Sequence, residues 1–137
     1  MLRNVTARYT SVAAAFWKPE MPRFINLGDS VFADYIGAGW DECDAGYRML
    51  RRAGTVKMGG PRNPGERLYM GVFRTTDFRL EVQTGGVQLP TDVVQRGGEL
   101  TELAVRLPPA LLGNPEIEVM LMNNNPEPLK FGYIEVR

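Results

Sequence analysis

The sequence contains no histidine. Histidine is the commonest general base and metal-ligating side chain near neutral pH, so its absence removes Ser-His-Asp and Cys-His catalysis and most zinc sites. Cysteine is almost absent as well. Cys43 stands alone, so no intrachain disulfide can form, and its sequence neighbours are acidic rather than the cations that activate a thiol. No segment approaches the roughly 20 apolar residues of a membrane-spanning helix. Net charge is lacking too: Lys+Arg is 16 and Asp+Glu is 16, which leaves no global field to draw in nucleic acid or an anionic membrane. Any chemistry would rest on carboxylates, Lys, Tyr or a bound cation, and the residues favour a protein that is not an enzyme. No cofactor is implied.

What is present is period-two alternation. In "DFRLEVQT" Phe78, Leu80 and Val82 share one face and Arg79, Glu81 and Gln83 the other, the pattern of a half-buried strand. "TELAVRL" puts Leu103, Val105 and Leu107 inward. "EIEVMLM" does the same with Ile117, Val119 and Leu121. "LKFGYIEVR" carries Phe131 and Tyr133 on one face and Ile134 and Val136 on the other, which predicts a central strand covered on both sides. The methionines at 49, 58, 70, 120 and 122 read as core filler.

Turn residues divide these runs. Gly85-Gly86 marks a two-residue hairpin, because both glycines accept positive φ. "QRGGEL", "GGPRNPGER" and "NNNPEP" are further turns or loops. "LPPALLGNP" has room for one helical turn, with proline at its start and Gly113 at its stop. With 137 residues, the chain suits a single domain with one core. The fold expected is all-β: a two-sheet antiparallel sandwich of about eight strands, with little helix. Residues 1–22 have the vaguest pattern and are expected to be an arm or an edge strand. Their apolar patch, Val12 to Trp17, is shorter than a secretory core and is followed by Lys18. A soluble protein is expected, with the cytoplasm favoured as its location.

The stretch "YIGAGWDECDAGYRML", residues 35–50, concentrates the candidate chemistry. Trp40, between Gly39 and Asp41, can either stack on a sugar ring or plug one end of a sandwich. Asp41 and Asp44, with Asp34 and Glu42 nearby, are the weak candidates for a calcium site, although "DECDAG" lacks the spacing of a calcium loop; no other metal site suggests itself. Arg48, Arg51 and Arg52, followed by Lys57, Arg62 and Arg67, are interleaved with Tyr47 and Tyr69. Arg48 and Arg52 share one strand face and Arg51 takes the other, so the run reads first as a solvated sheet face; as a binding patch it would suit an acidic polysaccharide better than nucleic acid, given the zero net charge.

The order of several motifs resembles a known family. "INLGDSVFADYIGAGW", the acidic and aromatic–Arg stretch "DECDAGYRML", "FRLEVQTGGVQL", "AVRLPPALLGNPEIEVML" and the closing "LKFGYIEVR" together are similar to the galactose-binding-like β-sandwich domains attached to bacterial glycosyltransferases and other surface-polysaccharide proteins. The chain departs from that pattern in carrying Met49 after the Arg, where the family usually has Trp, and Gly85-Gly86 in place of Asn-Gly. The resemblance implies a jelly-roll-like topology and a non-catalytic accessory module. Its ligand would be carbohydrate and its partner a larger polysaccharide-processing protein. On that reading Trp40 and Tyr47 would stack on sugar, and Asp44, Arg48 and Arg62 would hydrogen-bond hydroxyls. The alternative is a structural or oligomerisation domain with no small ligand, working as a homo-oligomer.

Overall fold

A computed structural model describes residues 20–137. The expectation for residues 1–22 therefore falls almost wholly outside the described residues. Among the described residues, eleven strands are divided between two antiparallel sheets: β1 (Phe24–Asn26), β2 (Trp40–Asp44), β3 (Tyr47–Leu50), β4 (Ala53–Met58), β5 (Arg67–Val72), β6 (Leu80–Thr84), β7 (Val87–Leu89), β8 (Thr91–Gly97), β9 (Leu100–Arg106), β10 (Ile117–Asn123) and β11 (Leu129–Val136). The seven-stranded sheet runs β2-β3-β11-β5-β9-β8, and β1 also pairs with β11. The second sheet runs β4-β10-β6-β7. The molecule is thus the expected all-β sandwich. It has more strands than about eight because short segments without clear alternation, β1 and β3, pair along β11, and β2 adds to the edge of β3. Among the described residues, helix is confined to two 3-10 segments, Ser30–Tyr35 and Pro109–Leu111. The second is the turn foreseen in "LPPALLGNP", stopped at Gly113 with φ +86.

Alternation becomes burial where both sheets face each other. Val82, Leu103, Val105, Leu107, Ile117, Val119 and Leu121 are all buried, as their spacing requires, while Phe78 and Leu80 pack half-buried at the core's edge. Met58 and Met70 are fully buried, but Met49 and Met122 are half-buried and Met120 is exposed. The Gly85-Gly86 hairpin joins β6 to β7 with φ of +56 and +79, the left-handed pair that a tight hairpin needs.

One expectation about strand faces is corrected. β11 is central, as predicted, lying between β5 and the end-to-end strands β1 and β3. Phe131 and Tyr133, however, do not share a face. The register shifts between them, with Phe131 opposite Val72 and Tyr133 opposite Gly71. This bulge at Gly132 reverses the phase of the strand. Leu129, Phe131, Ile134 and Val136 all reach the core, and Tyr133 turns to the outer face. A side chain at Gly132 would meet the Phe73 ring, its added Cβ lying 2.9 Å away.

A candidate binding face on the seven-stranded sheet

The hairpin made by β2 and β3 holds most of the residues singled out in the sequence, but it does not gather them into one site. Trp40 is half-buried over the end of the core. Its ring meets Phe131 edge-on at 5.3 Å, and its Nε1 donates to the Thr55 carbonyl at 3.1 Å. Its indole sits against Gly54, where an added Cβ would lie 2.6 Å from Nε1. Gly39, at φ +99, brings the chain so close to β4 that a Cβ there would collide with the Ala53 carbonyl. The glycines on either side of the contact allow the indole to seal the sandwich.

Arg48 is 9% exposed. Its Nε donates to the Leu27 carbonyl at 3.3 Å and its Nη1 to the Asp41 carbonyl at 3.1 Å. A buried guanidinium satisfied by backbone carbonyls fastens the hairpin to the chain leaving β1. Asp41 and Asp44 have different partners. The Asp41 carboxylate pairs with Arg51 at 3.1 Å. Asp44 accepts from the Ala45 amide at 2.8 Å and from the Tyr47 hydroxyl at 3.1 Å. The amide, then the hydroxyl, hold the Asp44 carboxyl below its ordinary range, and the same carboxylate raises the Tyr47 phenol. Among the described residues no three acidic or thiol side chains converge as metal ligands would. Arg62 lies beyond the far end of β4, with its Nη2 2.7 Å from the Glu20 carboxylate. Of the five proposed sugar contacts, Asp44 and Tyr47 meet; Trp40 and Arg48 face the interior; and Arg62 is elsewhere.

The outer face of the seven-stranded sheet carries a group that the sequence reading largely missed. The Tyr133 ring lies across Gly71, where an added Cβ would be 2.3 Å from the ring. Phe24 stacks beside Tyr133 at 6.1 Å and 20°, and Phe32 meets Phe24 edge-on at 6.5 Å. Phe73 stands against Gly132. Phe24 is 44% exposed and Phe73 39%, high values for rings on a sheet. Cations cap two more rings: Arg137 lies 3.8 Å from the centroid of Tyr69, and Lys130 Nζ lies 4.6 Å from that of Tyr47. Glu102 accepts from the Tyr133 hydroxyl and, at 2.9 Å, from Arg137 Nη2. Burial, then the bond to Glu102, push the Tyr133 phenol well above its ordinary value. A shallow hollow lined by Gln95, Gly97, Leu100 and Glu102 opens beside Tyr133.

At one end of the sandwich a cavity of about 340 Å³ lies between the loop 59–66 and the Leu107–Leu112 turn, lined by Arg67 and Arg106 and walled by prolines. Glu66 shapes this loop. Its carboxylate takes the Arg23 guanidinium, the Arg62 amide at 2.7 Å and Asn63 Nδ2 at 3.2 Å. The Arg23 bond and then the Arg62 amide lower its carboxyl to about 2. At the opposite end Asn123 and Asn125 tie three loops together. Asn123 Nδ2 donates to the carbonyls of Leu50, Arg51 and Glu127, and Asn125 bridges to both backbone groups of Arg79.

Compared with models of known protein families, the chain matches none. Compared with curated proteins, it matches none either.

Proposed function

We propose that the protein is a non-catalytic binding module that takes carbohydrate along the outer face of its seven-stranded sheet. The observation that carries this reading is the run of partly exposed rings, Phe24, Tyr133 and Phe73, set among hydrogen-bonding groups on a rigid sheet. Sugar rings present an apolar C–H face and a rim of hydroxyls. Flat aromatics serve the first, and groups such as Glu102, Arg137 and Gln95 serve the second. The acidic groups on this face suit a scaffold. Glu102 and Glu135 are both ion-paired to Arg137. The motif order similar to galactose-binding-like accessory domains supports the same reading, with a jelly-roll-like topology and a larger polysaccharide-processing partner. Within it, Tyr47 and Asp44 flank the face, while Trp40 and Arg48 hold the hairpin in place.

A second reading, self-assembly without a ligand, is favoured by β8. This edge strand exposes Val93 and Val94, an apolar pair on a sheet edge that a second copy could cover. One experiment separates the readings: titration of oligosaccharides into wild type and into Phe24→Ala and Phe73→Ala, followed by sedimentation. Millimolar or tighter binding, weakened in both variants, supports the carbohydrate face. A protein that binds no saccharide and sediments as a dimer refutes it in favour of assembly.

A further inference from the structure

We infer that the cavity at the Arg67–Arg106 end of this face is a subsite for an acidic sugar unit, one bearing a carboxylate or a sulfate ester. The inference rests on the carbohydrate reading and deepens it. Arg67 of β5 and Arg106 of β9 are direct cross-strand partners in the antiparallel register. Like charges placed opposite each other on one sheet face repel, so a bound counter-charge would stabilise this pairing.

Among the described residues no carboxylate side chain supplies one. Among the described residues neither guanidinium has a carboxylate within ion-pair distance. All 16 acidic residues lie between Glu20 and Glu135, so residues 1–19 hold none in reserve. The contrast along the same row is sharp. Arg137 exchanges both backbone hydrogen bonds with Arg67, at 3.0 and 2.9 Å, and its own guanidinium is neutralised by Glu102 and Glu135. Glu66, adjacent in sequence and on the cavity wall, directs its carboxylate to Arg23 and the 62–63 turn instead.

The cavity around the two arginines fits a sugar ring better than a bare ion. Its volume, about 340 Å³, is at the lower end of the roughly 300–1,000 Å³ range of small-ligand sites. Pro61, Pro64, Pro108 and Pro109 wall it. Proline rings give apolar contact with little side-chain entropy to lose on binding. Two guanidinium forks offer paired N–H groups to an anionic oxygen pair. The subsite is continuous with the aromatic face, since Arg67 and Tyr69 point to the same side of β5. A saccharide lying over the Arg137 guanidinium that caps Tyr69 would place a neighbouring unit in the cavity. The chain's zero net charge disfavours a polyanion held by backbone phosphates.

The test is calorimetric titration of the full chain with three oligosaccharides of matched length: neutral, uronate-containing and sulfated. Binding of an acidic oligosaccharide at least tenfold tighter than the neutral one is expected at low salt. Arg106→Gln and Arg67→Gln should each erase most of that preference, weakening acidic binding far more than neutral binding. Arg106→Lys, which keeps charge but loses the fork, should restore part of it. Lys57→Gln, the same charge loss on the other sheet, should change nothing, and thermal melts establish that each variant is folded. Whichever acidic ligand shows the arginine-dependent gain identifies the substituent. Equal affinity for neutral and acidic ligands, or a preference that survives both glutamine variants, overturns the subsite alone. No binding of any of the three overturns the carbohydrate reading with it.

Discussion

Replacing Trp40 separates a ring that seals a core from a ring that holds a ligand. The indole is half-buried, meets Phe131 edge-on at 5.3 Å and donates to the Thr55 carbonyl. A fully buried Trp→Ala change costs about 3–5 kcal/mol, so a half-buried one should lose about 2 kcal/mol from packing. The aromatic contact and the hydrogen bond should add about 1 kcal/mol together. The total is about 3 kcal/mol, or a fall in Tm of about 10 °C for a domain of this size. Trp40→Phe removes the hydrogen bond and some ring volume while keeping an aromatic ring against Phe131. The Thr55 carbonyl also accepts from the Gly37 amide at 2.8 Å, so losing Nε1–H leaves no orphaned acceptor, and the cost should stay near 1 kcal/mol. Phe24→Ala should behave in the opposite way. Its ring is 44% exposed, so stability should fall by about 1 kcal/mol or less while saccharide affinity falls about tenfold, the equivalent of about 1.4 kcal/mol. Denaturant unfolding and calorimetric titration on the same three variants measure both quantities. The reasoning is refuted if Trp40→Ala keeps wild-type stability and loses binding.

Two further substitutions test how the loops at the sandwich ends are held. Asn123 is 3% exposed and donates to three carbonyls while accepting from both nitrogens of Asn125. Asn123→Ala leaves these buried groups short of partners and should cost about 3 kcal/mol; a loss under 1 kcal/mol by urea unfolding would contradict the role assigned to it. Glu66 has its carboxyl lowered from 4.5 to about 2. A carboxylate depressed in the folded state contributes stability above pH 4.5 that is lost as the pH falls from there toward 2. Glu66→Gln should therefore lower Tm at neutral pH and flatten its decline between pH 4.5 and 2. Parallel Tm curves for wild type and variant across that window would show that the Arg23–Glu66 contact does not govern acid stability.

The sandwich was legible because burial in a sheet has a local signature. Alternation in "TELAVRL" and "EIEVMLM" is decided by the two faces of the strand itself, and Gly85-Gly86 announces its hairpin by backbone freedom alone. The bulge in β11 broke this rule. One extra residue reverses every later side chain, and nothing local to "KFGYI" separates a glycine that bulges from one that simply lies in a strand. The cue lay elsewhere in the chain: Phe73, on another strand's end, occupies the space that a side chain at 132 would need. Tyr133 therefore lies on the face opposite to the one its spacing predicts, and alternation alone does not reveal the aromatic face.

The candidate site was hidden for a related reason. Sequence proximity drew attention to residues 35–50, yet proximity along a hairpin sends neighbours to opposite faces, and Trp40 and Arg48 were taken inward. The aromatic face instead joins Phe24 to Tyr133 from opposite ends of the described chain, and the cavity joins Arg67 to Arg106 through register alone. Register is set by the buried side of each strand: Leu68 must meet Val105 in the core, and Arg67 and Arg106 are then forced together on the outside. The core does not require arginine at either outward position, and glutamine at both would remove the repulsion without changing a core residue. The pairing of two like charges at a site dictated by core packing is therefore unexplained by stability, and a bound anion is what would make it favourable.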